Sequence, residues 1–207
     1  LLNRLDRWLL DEVKEELGPR VLDMGCGHGN LMSLLQNREL VVGTDIDPNS
    51  VAAVQDRFRN QGNVRAHVFG VMQSPGQELI DYEVDTVISL NVLEHIERDD
   101  IALKNVVKLF SGKGGTLILI VPAHMNIYGS MDMAIGHYRR YTKTVMQELL
   151  NPLGAQVKRQ FYHNVVGAVG WWFTGRILRR KTPPEGQLWL FNRLVPLLAL
   201  GEGLGRP

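Results

Sequence analysis

Short apolar runs alternate with helical segments along the first 122 residues. The runs are rich in β-branched residues and bounded by turn residues, which is typical of strands, and the intervening segments show helical spacing. The predicted strands are 20–24, 40–45, 63–69, 84–90 and 114–122, and the predicted helices lie near 29–37, 49–60 and 98–110. Because strands that are apolar throughout must be buried on both faces, the pattern predicts a doubly wound, parallel α/β sheet.

The two ends of the chain carry other patterns. Leucine and valine residues at spacings of three or four predict a helix over residues 1–17, before Gly18 and Pro19. Residues 123–141 have little periodicity and many Met, Tyr, His and Arg residues, which indicates a loop or lid. The pattern then predicts a helix over 142–150, a strand over 155–162 and two helices within 164–207.

Composition limits the class of protein. The chain has 207 residues, 44% of them hydrophobic, which suits a single domain over residues 1–207. It has 23 Lys and Arg against 22 Asp and Glu, so charge does not favour a nucleic-acid partner. The single cysteine, Cys26, excludes an internal disulfide. With no basic-flanked apolar leader and no uncharged apolar run of about 18 residues, we expect a cytoplasmic protein.

A glycine loop follows the first predicted strand, in the stretch "RVLDMGCGHGN". Glycines at alternate positions permit positive φ angles and a close approach of the backbone to a ligand. The dinucleotide fingerprint needs its third glycine at position 30, where this chain has Asn30, and no phosphate-loop motif is present. Asp23, just before the loop, repels a diphosphate and attracts an ammonium group. These features favour a zwitterionic ligand.

A second acidic residue, Asp45, ends the next predicted strand. An acid about 20 residues beyond such a loop commonly accepts hydrogen bonds from both hydroxyls of a ribose. Asp23 and Asp45 together therefore indicate a nucleoside that carries an amino-acid tail.

These motifs resemble those of the class I S-adenosylmethionine-dependent methyltransferases. The resemblance rests on "VLDMGCGHGN", "VVGTDID" and "VDTVISLNVLEHIERD", in order and at the proper spacing, and covers roughly residues 15–150. It implies a Rossmann-like methyltransferase sheet, with S-adenosyl-L-methionine as cofactor and S-adenosyl-L-homocysteine as product. Relatives usually end in a further strand, which this chain lacks after its last predicted helix, so we expect six strands. Residues 1–122 would form the cofactor-binding core and 123–207 the acceptor lid and C-terminal helices.

The resemblance also implies a cofactor site. The methionine moiety would lie against Asp23 and the glycine loop, the ribose on Asp45 and the adenine beside Ile46. Many relatives place an Asp near Gly70, so in this chain the adenine contact is expected from the backbone of Val71 and from apolar stacking. The full predicted set is Asp23, Gly25, Cys26, Gly27, Gly29, Asn30, Asp45, Ile46, Val71, Asn91 and Leu93, of which Asn91 and Leu93 would lie near the transferring methyl group.

The lid segment supplies candidate acceptor residues. His137 or His124 could act as general base, with Asn91 as the third predicted catalytic residue. Arg139 and Arg140 could bind a carboxylate or phosphate of the acceptor, and Tyr128 is a further candidate for substrate binding. The alternative, given equal weight for "GHYRRY", is that Arg140 and Tyr141 tie the lid to the core and that His137 is a buried structural donor.

A metal is not expected from the sequence. Glu94 and His95 are adjacent but lack the H-E-x-x-H spacing, which favours a helix-face or cleft-edge role. Cys26 has no evident activating partner and is interpreted as a packed residue of the loop. Asp47, just before Pro48, is interpreted as a helix cap.

Aromatic and cationic residues share the segment 171–181. The stretch "GWWFTGRILRRK", together with "VPAHMNIYGSMDMAIGHYRRYTK", resembles a bacterial group associated with glycan or lipid-linked sugar pathways. Such a segment suits contact with an anionic membrane that holds a lipid-linked acceptor, although a packed helix with a solvated basic face is the more common case.

The predicted function is methyl transfer by in-line displacement to a small-molecule, glycan or lipid-linked acceptor. Two alternatives remain at this point. One is a module that binds the cofactor without turnover. The other is a nicotinamide oxidoreductase, which Asn30 and Asp23 disfavour. The sequence does not assign an oligomeric state.

Overall fold

The computed structural model describes residues 4–182, 186 and 193–196. The strands in this part of the chain are β1 (Arg20–Met24), β2 (Leu40–Asp45), β3 (Val64–Val68), β4 (Thr86–Leu90) and β5 (Thr116–Ile120). The α-helices are α1 (Arg4–Asp11), α2 (Pro48–Arg57), α3 (Gln77–Ile80), α4 (Asp99–Lys108), α5 (Ser130–Ala134), α6 (Lys143–Leu150) and α7 (Val165–Trp172). The first five predicted strands are confirmed to within two residues at each end.

The strands form one parallel sheet in the order β3-β2-β1-β4-β5. β1 lies in the middle of the sheet, with β2 on one side and β4 on the other. From β1 the chain first adds strands on one side and then crosses over to add strands on the other. In open α/β sheets a ligand crevice opens beyond the carboxyl ends of the strands at such a switch point. The glycine loop follows β1 directly, so the topology places it at this point.

Both faces of the sheet are buried. Val21, Val41 and Ile88 belong to the main apolar cluster on one face. Leu22 and Val42, one residue further along their strands and therefore on the opposite face, are completely buried as well. The predicted doubly wound α/β class is confirmed.

The chain divides into two compact units. The sheet unit contains Leu9–Leu93 and Arg98–Ile120, and the C-terminal unit contains Asn3–Trp8, Glu94–Glu97 and Val121–Pro207. All five described strands belong to the sheet unit. The residues predicted for the acceptor lie in the C-terminal unit, except Asn91.

The helix predicted over 29–37 is wrong. Only a short 3-10 turn, Met32–Leu34, forms there. The Ser33 hydroxyl donates to the Gly29 carbonyl at 2.9 Å, a local bond of the kind that competes with regular helix. Among the described residues of the predicted helix over 1–17, α1 ends at Asp11 and a 3-10 turn follows at Lys14–Glu16.

The strand predicted over 155–162 is also wrong, because these residues pair with no strand in the described chain. Aromatic contacts hold the segment instead: the rings of His124 and Tyr162 lie 4.4 Å apart, and Trp8 contacts the adjacent His163 at 3.9 Å. The described residues therefore contain five strands in their sheet, where six were expected.

The tail begins with α7 and continues into a π-helical turn, Phe173–Ile177. Residues 164–182 form no strand. Of the second predicted helix, residues 193–196 are helical, and the rest lies outside the described residues. No helix in the described part of the chain is long and apolar enough to cross a membrane.

Candidate functional site

The glycine loop is fixed to the end of β2 through backbone hydrogen bonds. The N–H groups of Gly25 and Cys26 both donate to the Thr44 carbonyl, at 2.8 and 2.9 Å. Gly29 donates to the Cys26 carbonyl at 2.9 Å and closes the turn. The loop is therefore held in one conformation by the strand next to it.

Two of the loop glycines serve different purposes. Gly25 has φ +75°, and a Cβ atom there would lie 2.3 Å from Val92 Cγ2. Gly27 also has a positive φ, +49°, but a Cβ atom there would have no heavy atom within 4 Å. Packing therefore requires glycine at position 25, whereas at position 27 the absence of a side chain keeps space open in front of the loop.

Asp45 connects this loop to the end of β2. Its Oδ2 accepts a hydrogen bond from the Gly27 N–H at 2.9 Å, and its Oδ1 accepts one from the Asp47 N–H at 2.9 Å. The carboxylate is half-buried. Each oxygen can accept a further hydrogen bond, so the group is held in place and still able to receive two hydroxyl donors.

Two other predicted residues lie close to the loop in sequence and are buried. Asp23 is 2% exposed, and the register of the sheet sets it opposite Gly43 on β2. Cys26 is buried as well; burial, followed by the charges of Asp23 and Asp45, raises the pKa of its thiol to about 12. Cys26 is thus a packed, protonated thiol rather than a nucleophile.

The outer side of the loop is linked to α2. Arg57 donates from Nη1 to the His28 carbonyl at 2.8 Å and to Asn30 Oδ1 at 3.3 Å. Asp47 caps the same helix, accepting from the backbone N–H groups of Asn49 and Ser50 at 3.1 Å each, so the predicted cap is confirmed.

The residues predicted for the adenine differ in exposure. Ile46 is 78% exposed, an unusual position for a large apolar side chain, and its Cδ1 lies 3.6 Å from where a Cβ atom of Gly70 would be. Val71 is buried, and its carbonyl accepts a hydrogen bond from Asn105 at 2.9 Å. A carbonyl oxygen has a second lone pair, so this bond does not prevent a backbone contact between Val71 and a ligand.

Asn91 and Leu93, the residues predicted to lie near the methyl group, also differ in exposure. Asn91 is exposed, with φ +53°, and its N–H donates to the Ile120 carbonyl at 2.9 Å. Leu93 is completely buried, so its side chain belongs to the core and does not line an open surface.

In the C-terminal unit, the centre of the lid segment is Asp132, a residue that the sequence did not single out. Its buried carboxylate accepts four hydrogen bonds, from His137 Nδ1 at 2.9 Å, Arg140 Nε at 2.8 Å, Trp171 Nε1 at 3.0 Å and the Gly129 N–H at 2.9 Å. Burial alone would raise the pKa of Asp132, but the hydrogen bonds from His137, Trp171 and Gly129 outweigh it and lower the pKa to about 2. The available signal was an acid at the third position of a short helix, as in a capping box.

His137 also lies beside Glu94 and His95. Its Nε2 is 3.7 Å from Glu94 Oε1, and its ring centroid is 4.6 Å from that of His95. Burial raises the pKa of Glu94 to about 7, against the opposing effects of its own backbone N–H and of His137 and Arg140. Burial and the charge of His137 lower the pKa of His95. The three side chains thus form a compact group of two imidazoles and a carboxylate.

The structure changes the interpretation of the predicted acceptor residues. Arg140 is buried, pairs with Asp132 and donates to the Ala123 carbonyl at 3.1 Å, so it is a structural cation and not a free fork for an anion. Tyr128 donates its hydroxyl to the His137 carbonyl at 2.7 Å. This arrangement corresponds to the structural alternative for "GHYRRY".

The remaining two candidates have separate contacts. Arg139 is half-buried and donates to the Glu97 carbonyl. His124 packs on Tyr162 and has φ +64°, a strained angle for a residue with a side chain. His124 and His137, the two alternative candidates for the general base, thus have different neighbours.

Comparisons with known proteins identify the class. A family model described as a methyltransferase domain matches residues 22–117. No curated protein matches the chain. The matched residues hold all five strands, except the start of β1 and the end of β5, together with the glycine loop and Asp45.

Solved structures share the fold. The chain is similar to YcgJ protein from Bacillus subtilis, with 17% identity, a TM-score of 0.60, and coverage of 70% of this chain and 67% of that one. It is similar to the cyclase SpnF, with 18% identity, a TM-score of 0.61, and coverage of 83% and 64%. It is also similar to magnesium protoporphyrin IX methyltransferase from Synechocystis, solved with bound S-adenosylmethionine, with 24% identity, a TM-score of 0.53, and coverage of 78% and 73%.

The sheet, its glycine loop and the matched family define a class I methyltransferase fold. The methyltransferase-domain model and the shared fold agree with the resemblance of the motifs to the S-adenosylmethionine-dependent methyltransferases. The fold alone does not fix the reaction, since one of the similar structures is called a cyclase.

Proposed function

We propose that the protein transfers the methyl group of S-adenosylmethionine to an acceptor, with the cofactor bound at the glycine loop. The observation that carries the proposal is the Asp45 carboxylate, held by Gly27 and Asp47 with one further acceptor site on each oxygen. Two neighbouring hydroxyls of a ribose match two such acceptor sites. The open space in front of Gly27 leaves room for the amino-acid part of the ligand.

The other residues of the sheet unit fit the same ligand. The negative charge of Asp23 favours an ammonium group and disfavours a diphosphate, which argues against a nicotinamide cofactor. The exposed Ile46 offers an apolar surface of the kind on which an adenine ring stacks. Asn91, exposed after β4, offers a polar side chain beside the switch point.

Methyl transfer makes modest demands on the protein. The sulfonium supplies an activated methyl group, so the residues mainly have to hold the reactants in line. A general base is required only where the acceptor is a hydroxyl or an acidic carbon. The hydrogen bonds that fix the glycine loop and Asp45 supply this kind of preorganisation.

Two measurements test the proposal. Calorimetric titration of the full chain with S-adenosylhomocysteine should show stoichiometric binding, and NADH should not bind. Radiolabelled methyl donor should then label a product in fractions of a bacterial extract. Binding of NADH in place of S-adenosylhomocysteine would contradict the cofactor assignment, and binding with no labelled product would favour the non-catalytic alternative.

We also propose that the acceptor is lipid-linked and that the protein, in the cytoplasm, meets it at an anionic membrane surface. The observation in favour concerns α7 and the turn after it, none of whose apolar side chains is buried. The exposed apolar residues are Val165, Val166, Val169, Trp172, Phe173, Ile177 and Leu178, with exposures from 38% to 58%. Exposed cations lie within and directly after this stretch, at Arg176, Arg179, Arg180 and Lys181. Apolar groups beside cations are typical of helices that lie in the interface of an anionic membrane.

Co-sedimentation with vesicles tests this surface. The chain should bind vesicles of phosphatidylcholine with phosphatidylglycerol, and should bind pure phosphatidylcholine far less. The change Arg179→Ala should weaken binding roughly fivefold, since each cation near an anionic surface contributes about 1 kcal/mol. Arg59→Ala, an exposed cation of the sheet unit, is the matched control. If Arg179→Ala and Arg59→Ala bound the anionic vesicles equally, or if the wild type did not bind them, the proposed membrane contact would be wrong.

A further inference from the structure

Three potential metal ligands converge in the C-terminal unit. Glu94, His95 and His137 each present one donor atom, and these atoms lie within 4.8 Å of one another. Glu94 Oε1 and His137 Nε2 are 3.7 Å apart. Ligand atoms bound about 2.1 Å from one tetrahedral ion lie roughly 3.4 Å apart, so this pair is already near the required spacing.

The Glu94 carboxylate supplies an independent indication. The side chain is 0% exposed, and neither oxygen accepts a hydrogen bond from another described residue. A buried carboxylate is costly unless it is paired, hydrogen-bonded or bound to a metal ion. His137 Nε2, 3.7 Å from Glu94 Oε1, belongs to the same cluster.

Asp132 orients the His137 ring. The carboxylate accepts from Nδ1 at 2.9 Å, and it also accepts from Arg140 and Trp171, which can only donate. Nδ1 therefore carries the proton, and Nε2 presents its lone pair toward Glu94. A carboxylate behind the ring of a histidine is the usual outer partner of metal-binding histidines.

We propose that Glu94, His95 and His137 bind one divalent first-row transition metal ion, with Asp132 as the outer partner of His137. Two imidazoles and one carboxylate suit zinc and its neighbours in the row, whereas Mg²⁺ and Ca²⁺ prefer oxygen ligands. Three protein ligands leave a position open for water or another molecule. The His95 side chain is exposed, and its ring packs edge-on against that of His137, with the centroids 4.6 Å apart.

The site goes beyond the function proposed above, which requires no metal. It also departs from the expectation drawn from the sequence, because the third ligand comes from residue 137, 42 positions beyond His95, and not from a local spacing. The competing explanation is a purely structural group in which Glu94 is stabilised by the charges of His137 and Arg140.

Titration of the chelator-treated full chain with metal ions distinguishes the metal site from the purely structural group. Zn²⁺, followed by calorimetry, should bind with one equivalent per chain, and Co²⁺ should give the visible absorption of a low-coordinate site. His95→Ala, at an exposed position, should weaken Zn²⁺ binding at least tenfold. Asp132→Asn should weaken it about 10- to 100-fold by releasing the His137 ring.

His67→Ala is the matched control, because His67 also has a carboxylate nearby, Glu78 at 3.5 Å, but lies outside the cluster. This variant should keep the wild-type affinity for Zn²⁺. Glu94→Gln, nearly the same in shape, gives a second test of the cluster and should also lose binding. Absence of stoichiometric Zn²⁺ binding, or equal affinities of wild type, His95→Ala and Glu94→Gln, would overturn the proposal. Titration with S-adenosylhomocysteine on the metal-free chain shows separately whether the cofactor site is intact.

Discussion

The Asp45 carboxylate accepts a hydrogen bond from the backbone N–H of Gly27 at 2.9 Å. This contact joins the end of β2 to the loop after β1, through two residues that are 18 positions apart in the sequence. The second oxygen is held by the N–H of Asp47, which in turn caps α2. One side chain therefore fixes the loop and begins the next helix, and it remains available to a ligand.

Replacing Asp45 tests its role in cofactor binding. Asp45→Ala should weaken the binding of S-adenosylhomocysteine by about 1–3 kcal/mol, roughly 5- to 150-fold, because it removes two charge-assisted acceptors and releases the Gly27 N–H. Asp45→Asn retains one acceptor oxygen, so its affinity for S-adenosylhomocysteine should lie between those of the wild type and Asp45→Ala. Calorimetric titration measures the affinities. Asp56→Ala, an exposed acid on α2, is the control, and an unchanged affinity in Asp45→Ala would remove Asp45 from the site.

The two loop glycines should respond differently to alanine. At position 25 the added Cβ would lie 2.3 Å from Val92, a β-branched side chain that cannot easily rotate away, so Gly25→Ala should destabilise the fold by about 1–3 kcal/mol. At position 27 the Cβ meets nothing, and Gly27→Ala should cost only about 1 kcal/mol for its positive φ while weakening cofactor binding. Urea unfolding and titration with S-adenosylhomocysteine measure the two effects. If Gly27→Ala lost more stability than Gly25→Ala, the assignment of Gly25 to packing and of Gly27 to the open space would be wrong.

The sheet was predictable because its strands satisfy local and tertiary requirements together. Runs such as "LVVGTD" are β-branched, apolar and of strand length, and the structure gives β2 the predicted bounds. The segment 155–162 also contains apolar residues, but it pairs with no strand among the described residues. Ring contacts of Tyr162 and of the next residue, His163, hold it instead. Propensity cannot reveal contacts between distant rings.

The position of the glycine loop was predictable for a similar reason, since Gly25, Gly27 and Asp45 lie at fixed spacings around two strand ends. The group around Asp132 was not predictable, because its donors come from Gly129, His137, Arg140 and the distant Trp171. The sequence left two interpretations of His137 and Arg140 open, acceptor-site residues or structural groups, and it did not show that both donate to Asp132. A spacing rule finds a loop, whereas only tertiary structure shows which polar side chains satisfy one another.

Cys26 should react slowly with alkylating reagents in the folded protein. Its pKa is raised to about 12, first by burial and then by Asp23 and Asp45, so the thiol keeps its proton at pH 8. Relative to an ordinary thiol with a pKa near 9, the thiolate fraction falls by roughly three orders of magnitude.

Mass spectrometry after timed treatment with iodoacetamide measures the rate. The folded chain should be labelled far more slowly than the urea-unfolded chain between pH 8 and 10, and both rates should rise with pH. Labelling of the folded chain at the unfolded rate would show that the thiol is accessible and its pKa ordinary.

Asp132 should be among the most sensitive positions of the C-terminal unit. Its removal leaves the buried Arg140 guanidinium without its carboxylate, together with a buried donor from Trp171. Breaking a buried pair from one side typically costs about 3–5 kcal/mol, and we expect Asp132→Ala to lose this much stability. Asp132→Asn keeps the shape and one acceptor oxygen, but turns an amide N–H₂ toward donors, so it should be intermediate.

Urea unfolding followed by tryptophan fluorescence measures this effect, since Trp171 itself donates to Asp132. Asp100→Ala, an exposed acid paired with Arg98, is the control and should leave the unfolding midpoint almost unchanged, because exposed ion pairs contribute little. If Asp132→Ala unfolded at the same midpoint as this control, the four hydrogen bonds would add no net stability. The carboxylate would then be retained for what it does to His137, which is the role that the metal titration measures directly.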